Sequence, residues 1–383
     1  MVLFVQAVVA QHQLVYVLTQ VEKNNKSIQT NKHYWASKQA ELKTGLTPYD
    51  PVVEYDYLYG SPVGAGNQRD LVITQRFDFP TVYKRKRELS DRQIAQTVFQ
   101  QQVFRQDILL EAKLLTLKVI YLNKKEAELA RRLQSTQKVL SDYEKKFEKG
   151  DATILDFNKA KLQLLNIEND VRLAQNEKQV VLTKVTELNG GEQLLIADTL
   201  YPLQPIIPDF EMLDSIIEAH DPILKIYEQE KKVWAQQMNV QKSMNLPKIE
   251  TGYHSQGILG QSYRGIRLGI TIPLWENKGK LQAVKSGLQH AESAAVSNVL
   301  EHRFENKQWY DQLAIRGKIL EDSKALLTSL NNTVLLDKAL ALGQITVIQY
   351  FYEASFYYAS RDRYLQAEWE YQELLAKLYR FEL

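Results

Sequence analysis

The side chains that could bind metals or catalyse reactions are scattered along this chain of 383 residues. No two of the six histidines have metal-ligand spacing on one helix face. The sequence contains no cysteine, which excludes disulfides, thiolate chemistry and cysteine-ligated metals. Acidic residues are numerous, but no sequence feature isolates an acid–base pair in an apolar pocket. We therefore expect no enzyme, no metal site and no cofactor.

Two turns offer a different kind of chemistry, the non-covalent contact of exposed backbone. The segments are Gly150-Asp-Ala-Thr-Ile-Leu and Gly343-Gln-Ile-Thr-Val-Ile, and each follows a long helical pattern. Glycine is favoured just past a helix C-terminus, where the backbone becomes left-handed. The next helix then needs an N-cap, for which we expect Asp151 in the first turn and Thr346 in the second.

Long helices position these turns. Between Thr81 and Asn189, apolar residues recur at alternating steps of four and three, which is the spacing of a coiled-coil seam. The helix that leads to Gly150 would run for about 100 Å at 1.5 Å per residue. The predicted seam of the second helix consists of Ala160, Leu164, Ile167, Val171, Ala174, Lys178, Val181, Val185 and Leu188.

Four segments alternate apolar and polar residues with a period of two, as strands do. They span residues 51–59, 70–80, 247–255 and 263–273, with a loop predicted from Gln256 to Ser262. Each has about the nine residues that a tilted membrane-spanning strand needs, and one face is aromatic and aliphatic. Four strands are too few to close a barrel, so we expect several copies to share them.

The whole pattern occurs twice. Pro80 precedes Gly150 by 70 residues, and Pro273 precedes Gly343 by the same number. A period of about 195 residues favours a gene duplication over a solenoid array. We divide the chain into a signal-peptide remnant (1–10), repeat 1 (11–200, helical hairpin 81–189), a linker (201–209) and repeat 2 (210–383, helical hairpin 274–383). The remnant is apolar and ends in Val-Val-Ala, which favours export.

This order of helix, β-hairpin and long helical hairpin, repeated once, resembles the TolC-type outer-membrane efflux channels, the outer-membrane factors of tripartite efflux systems. The resemblance covers residues 14–383, and the prolines in Asp-Phe-Pro80 and Thr-Ile-Pro273-Leu-Trp resemble the heavy-metal and multidrug branches. It implies a mainly α-helical fold with a small membrane β-barrel portion. Three protomers would share a twelve-stranded barrel and an α-helical periplasmic tunnel.

The resemblance also implies a function and partners. The chain would be an outer-membrane channel that passively exports small molecules, such as drugs or metal ions. An inner-membrane pump would deliver them through a periplasmic adaptor. The adaptor would contact the turns at Gly150, Asp151, Thr153, Gly343, Gln344 and Thr346.

A pore gate is the last feature that the resemblance implies. Family members often carry acidic residues after the second turn, where this chain has no Asp. The available substitutes are Asp156, Gln349 and Glu353, and for each the alternative is an ordinary solvent-exposed position on a helix. The near-neutral net charge of +2 gives no reason to expect nucleic acid as a partner. The alternative functions are a periplasmic adaptor and a coiled-coil interaction protein without a pore.

Overall fold

The computed structural model describes residues 2–203, 205–330 and 332–383, and it describes no side chains for residues 2–12 and Asn332. Met1 and the side chains of the predicted signal-peptide remnant lie outside the described residues. The helices are α1 (Val2–Asn24), α2 (Lys26–Leu42), α3 (Pro80–Glu148), α4 (Ile154–Leu188), α5 (Phe210–His220), α6 (Pro222–Ser243), α7 (Lys280–Ser329), α8 (Asn332–Ala341) and α9 (Val347–Leu378). The strands are β1 (Val52–Leu58), β2 (Gln68–Phe77), β3 (Lys248–Ile258) and β4 (Gln261–Thr271).

The chain forms two compact units, each assembled from distant parts of the sequence. The first contains Met1–Thr30, Phe104–His220 and Arg303–Leu383. The second contains Asn31–Val103 and Asp221–His302, and it includes the sheet. None of the helices in the described residues has the length and apolar character that would let it cross a membrane.

The sheet of the second unit is antiparallel, with the strand order β1-β2-β3-β4. Its register aligns the apolar positions of all four strands, because Val53 pairs with Ile73, Ile73 with Tyr253, and Tyr253 with Ile266. A second apolar row joins Phe77, Ile249 and Ile270. Successive residues of a strand point to opposite faces, so these rows share one face of the sheet.

The opposite face carries the charged residues. Arg76 lies opposite Glu250 in the register, and its Nε donates to a Glu250 carboxylate oxygen at 3.0 Å. Arg267 lies on the same face, with its Nε 3.6 Å from the other Glu250 oxygen. The alternation in the sequence therefore corresponds to two chemically distinct faces.

The connection between β3 and β4 is tighter than the sequence predicts. In place of a loop from Gln256 to Ser262, β3 continues to Ile258 and β4 begins at Gln261. Leu259 and Gly260 form the turn with φ values of +50° and +81°. Two-residue hairpin turns with positive φ at both central positions match the right-handed twist of the strands. Leucine rarely adopts this conformation, which explains why the sequence pattern did not reveal the turn.

In the first unit, helix α3 from Phe104 onward forms a helical hairpin with α4. All nine seam positions predicted on α4 are buried or half-buried, and Ala160 and Ala174 are among the most deeply buried. On α3, Val119, Leu122 and Leu129 are buried in the same way. Burial of these narrow apolar stripes holds the two helices together.

The second helical hairpin departs from the predicted pattern. Helix α7 begins at Lys280 rather than directly after Pro273, since a turn follows the strand and the Asn277 amide donates to the Met244 carbonyl at 2.8 Å. The helix ends at Ser329, and α8 begins at Asn332. The Ser329 hydroxyl donates to the Leu326 carbonyl at 2.8 Å, a local hydrogen bond of the kind that competes with helix continuation.

A substitution at Gly287 tests the packing of α6 on α7 within the second unit. A Cβ atom at this position would lie 2.4 Å from the ring of Trp234. A glycine-to-alanine change inside a helix usually raises the free energy of unfolding by about 1 kcal/mol. We expect Gly287→Ala to lower the free energy of unfolding instead, because overpacking costs about 1–3 kcal/mol. In the control Gly317→Ala on α7, the nearest atom would lie 3.4 Å away. Thermal unfolding followed by circular dichroism should show a lower Tm for Gly287→Ala and an unchanged or higher Tm for Gly317→Ala, whereas equal shifts would contradict the packing.

Candidate functional site: the paired helical turns

The turn after α3 has the hydrogen bonds of a Schellman motif. The Gly150 amide donates to the Phe147 carbonyl at 3.0 Å, and the Asp151 amide donates to the Lys146 carbonyl at 2.8 Å. Gly150 has a φ of +79°. This motif needs a left-handed residue after the helix, and glycine adopts that conformation without steric strain.

The turn after α8 repeats this geometry. The Gly343 amide donates to the Leu340 carbonyl at 3.1 Å, and the Gln344 amide donates to the Ala339 carbonyl at 2.9 Å. Gly343 has a φ of +71°. The likeness of the two segments in the sequence therefore reflects the same backbone structure.

The helices that follow also begin in the same way, with a capping box. The Thr153 hydroxyl accepts from the Asp156 amide at 3.2 Å, while an Asp156 carboxylate oxygen accepts from the Thr153 amide at 3.3 Å. Thr346 and Gln349 make the equivalent bonds at 3.2 and 2.9 Å. The N-cap prediction is correct for Thr346 and wrong for Asp151, because the N-cap of α4 is Thr153. The cap must stand three residues before its capping-box partner, which places it at Thr153.

The two turns lie beside each other in the first unit. A single apolar cluster joins the end of α3 to α8 and α9, and its buried members are Val139, Tyr143, Leu340, Val347 and Tyr350. The Tyr350 hydroxyl donates to Asp337 at 2.8 Å and lies 3.0 Å from the Ser135 hydroxyl. Burial raises the pKa of Tyr350, so this hydroxyl remains protonated and available as a donor at neutral pH.

All six residues predicted to contact an adaptor are exposed at these turns: Gly150, Asp151, Thr153, Gly343, Gln344 and Thr346. No atom lies within 4 Å of the position that a Cβ would occupy on Gly150 or Gly343. Another protein could therefore approach the backbone at both turns closely. The role of these residues in binding stays a prediction.

The three predicted gate residues occupy different environments. Asp156 is half-buried and Gln349 is exposed, and both complete the capping boxes. Glu353 is exposed on α9, one turn further along the helix. Their role in a gate stays a prediction.

A charged cluster around the buried Arg132, between α3 and α9, was not predicted from the sequence. Arg132 is only 5% exposed, and its guanidinium donates to Asp362 at 2.7 and 3.0 Å and to Glu128 at 3.1 Å. The guanidinium carbon lies 4.4 Å from the centre of the Tyr358 ring. The only signal in the sequence was the Glu128–Arg132 pair at i,i+4 spacing, which is also common on solvent-exposed helix faces.

No group of three or more His, Asp or Glu side chains that could hold a metal ion occurs in the part of the chain that the structure describes. The arrangement at the turns is suited to contact with another macromolecule through backbone and small polar side chains. The contacts described here position those groups and hold the two turns together.

The two capping boxes can be tested with Thr153→Ala and Thr346→Ala. Loss of an N-cap hydroxyl costs about 1 kcal/mol, so we expect roughly fivefold faster hydrogen exchange in the first turns of α4 and α9. Thr153→Ser and Thr346→Ser should retain slow exchange. The control is Thr328→Ala, because the Thr328 hydroxyl bonds only to a carbonyl within its own helix. Unchanged exchange in both alanine variants would contradict the capping role.

Comparisons with known proteins bear on the fold. The sequence matches no protein-family model and no curated protein. Solved structures do match it. A membrane protein from Pseudomonas aeruginosa superposes with a TM-score of 0.80 at 14% identity, over 96% of this chain and 92% of that one. The outer-membrane protein VceC of Vibrio cholerae superposes with a TM-score of 0.76 at 14% identity, over 97% of this chain and 96% of that one.

The outer-membrane channel CmeC of Campylobacter jejuni gives a TM-score of 0.73 at 13% identity, over 96% of this chain and 85% of that one. The likeness covers 96–97% of this chain in these three comparisons. It confirms the predicted fold class, mainly α-helical with a small β portion. This chain has the fold of the TolC-type outer-membrane channels.

Proposed function

We propose that this chain is the outer-membrane exit channel of a tripartite efflux system. Three copies share one twelve-stranded barrel in the outer membrane, and their helices form a tunnel in the periplasm. Small molecules, such as drugs or metal ions, leave passively after an inner-membrane pump delivers them through a periplasmic adaptor. The adaptor contacts the paired turns.

The observation that carries the proposal is the sheet, which has an exposed apolar face and two edge strands, β1 and β4, each of which pairs on one side only within the described residues. Along β4 the side chains of Ile266, Leu268 and Ile270 are 80%, 78% and 71% exposed. Lipid would cover such a face, and inside a bilayer every backbone amide and carbonyl needs a partner. Pairing β1 of one copy with β4 of the next satisfies both edges, and twelve strands close a ring.

The paired turns support the docking part of the proposal. They present two similar backbone surfaces side by side, with exposed glycines and no bulky side chain within 4 Å of either Cβ position. The solved structures with this fold include outer-membrane channels from two different bacteria. A coiled-coil interaction protein or a periplasmic adaptor would not require an aligned apolar face that continues across the strands of both repeats.

The barrel can be tested with substitutions on the two faces of β4. Leu268→Arg and Ile270→Arg should each destabilise the folded barrel by about 2–4 kcal/mol if the residue lies at mid-membrane depth, and each should reduce the yield of inserted trimer. Gly269→Arg lies on the polar face, where its Cβ would be 3.4 Å from Glu250, so it should assemble and change conductance. The measurements are trimer yield and single-channel recording of purified protein, with the wild type as reference. A wild-type monomer without conductance would contradict the channel, and equal behaviour of all three variants would contradict the assignment of the faces.

Docking can be tested with Gly150→Trp and Gly343→Trp. We expect both variants to form trimers, because neither residue lies in a seam or a strand, and to lose cross-linking to the adaptor and tolerance to exported compounds. The matched control is Gly191→Trp, since Gly191 also has a positive φ of +97° and open space at its Cβ position but lies after α4. A tryptophan at Gly191 would therefore suffer the same kind of backbone strain as a tryptophan at either turn, but outside the proposed docking surface. Normal cross-linking in both turn variants would contradict the docking site, and loss of the trimer would show that these glycines serve folding.

A further inference from the structure

A groove in the first unit has the features of a ligand-binding site, and its lining residues belong neither to the sheet nor to the paired turns. It lies between α1, α3, the connector after Leu200 and the C-terminal part of α9, and its volume is about 500 Å³. Its walls are mainly aliphatic. They include Leu14, Leu18, Leu117, Pro202, Leu203 and Leu375.

One cation lines this apolar groove. The Lys113 side chain is half-buried, and no carboxylate oxygen of a described residue lies within 4.0 Å of its ammonium group. Burial lowers the pKa of Lys113, and the charge of Glu382, which also lines the groove, opposes that shift. A charged group in such surroundings is stabilised when an anion binds to it.

One amide accompanies the cation. Gln372 is 5% exposed and also lines the groove, and its side chain makes no hydrogen bond to any residue in the described ranges. Buried polar groups are nearly always hydrogen-bonded. The groove therefore combines an ammonium donor, an amide donor and an apolar wall, which is the pattern of small-molecule sites.

We propose that this groove binds an amphipathic monoanion, in which a single carboxylate head group is attached to an unbranched apolar tail. The carboxylate accepts hydrogen bonds from Lys113 and Gln372, and the tail covers the leucine-lined wall. An alcohol with the same tail would lack the charge that Lys113 requires. An anion without a tail would leave the wall exposed to water. The proposal concerns ligand binding and not export, so octanoate binding can be found or excluded whether or not the chain exports small molecules.

Octanoate is a suitable probe, because its short tail partitions only weakly into lipid. Isothermal titration calorimetry on the full-length protein in lipid nanodiscs, with the heat of empty nanodiscs subtracted, should show one octanoate site per chain. Octanol and acetate should each bind at least tenfold more weakly. Lys113→Met, which keeps the length of the side chain without its charge, should weaken octanoate binding at least tenfold, or about 1.4 kcal/mol.

Three variants serve as comparisons. Lys113→Arg keeps the charge and should retain binding. Lys184→Met removes an exposed lysine on α4 that does not line the groove, and it should bind octanoate as the wild type does. Leu203→Trp places a bulky ring in the groove and should abolish binding. If Lys113→Met fails to assemble, binding by Lys113→Arg together with no binding by Leu203→Trp would still support the site.

Other results would overturn the proposal. Octanol binding as tightly as octanoate would show that the charge of Lys113 has no role. Equal binding by Leu203→Trp and the wild type would place the probe elsewhere. The absence of saturable octanoate binding would show that the groove is not a site for this class of ligand.

Discussion

The structure depends on one requirement, which is that the backbone amides and carbonyls of the two edge strands must find hydrogen-bond partners. A sheet whose outer strands have unpaired amides and carbonyls, and whose apolar face is exposed, is a template for further pairing. Here that face is formed by residues from four strands that come from distant parts of the chain, such as Tyr55 in β1 and Leu268 in β4. The single chain supplies the apolar surface and the open edges but not their partners. The proposed assembly of three copies follows from that incompleteness.

The faces of the sheet could be predicted because the period of a strand is two and does not depend on its partners. The apolar alternation predicts that Val53 and Ile266 lie on one face, and the observed register, which pairs residues of matching parity across all four strands, agrees with it. The hairpin between β3 and β4 could not be predicted in the same way. Its first central residue is Leu259 in a left-handed conformation, where the usual signal would be Asn or Gly.

The helices show a similar division between what is local and what is tertiary. The seam of α4 could be predicted because its apolar residues recur with a single helical period and pack against a single neighbouring helix. Helix α3 also buries polar side chains, among them Asn123, which donates to the carbonyls of Ile196 and Asp198, and Arg132, which bonds to α9. These residues are polar, so hydrophobic periodicity gave no signal for them. Their burial is explained by partners such as Asp362, which is 230 residues away in the sequence.

The two turns share one backbone conformation but use different side chains to cap the following helix. In both, a glycine ends one helix and a threonine three residues later begins the next, but the capping partner is a carboxylate in Asp156 and a neutral amide in Gln349. The cap needs only an acceptor for the threonine amide, so both side chains satisfy it. The negative charge of Asp156 is held at the N-terminus of α4, where the helix dipole stabilises it. Rotation of Asp156 away from the turn would break its capping bonds, whereas Glu353 makes no capping bond to any described residue and can move without disrupting the turn.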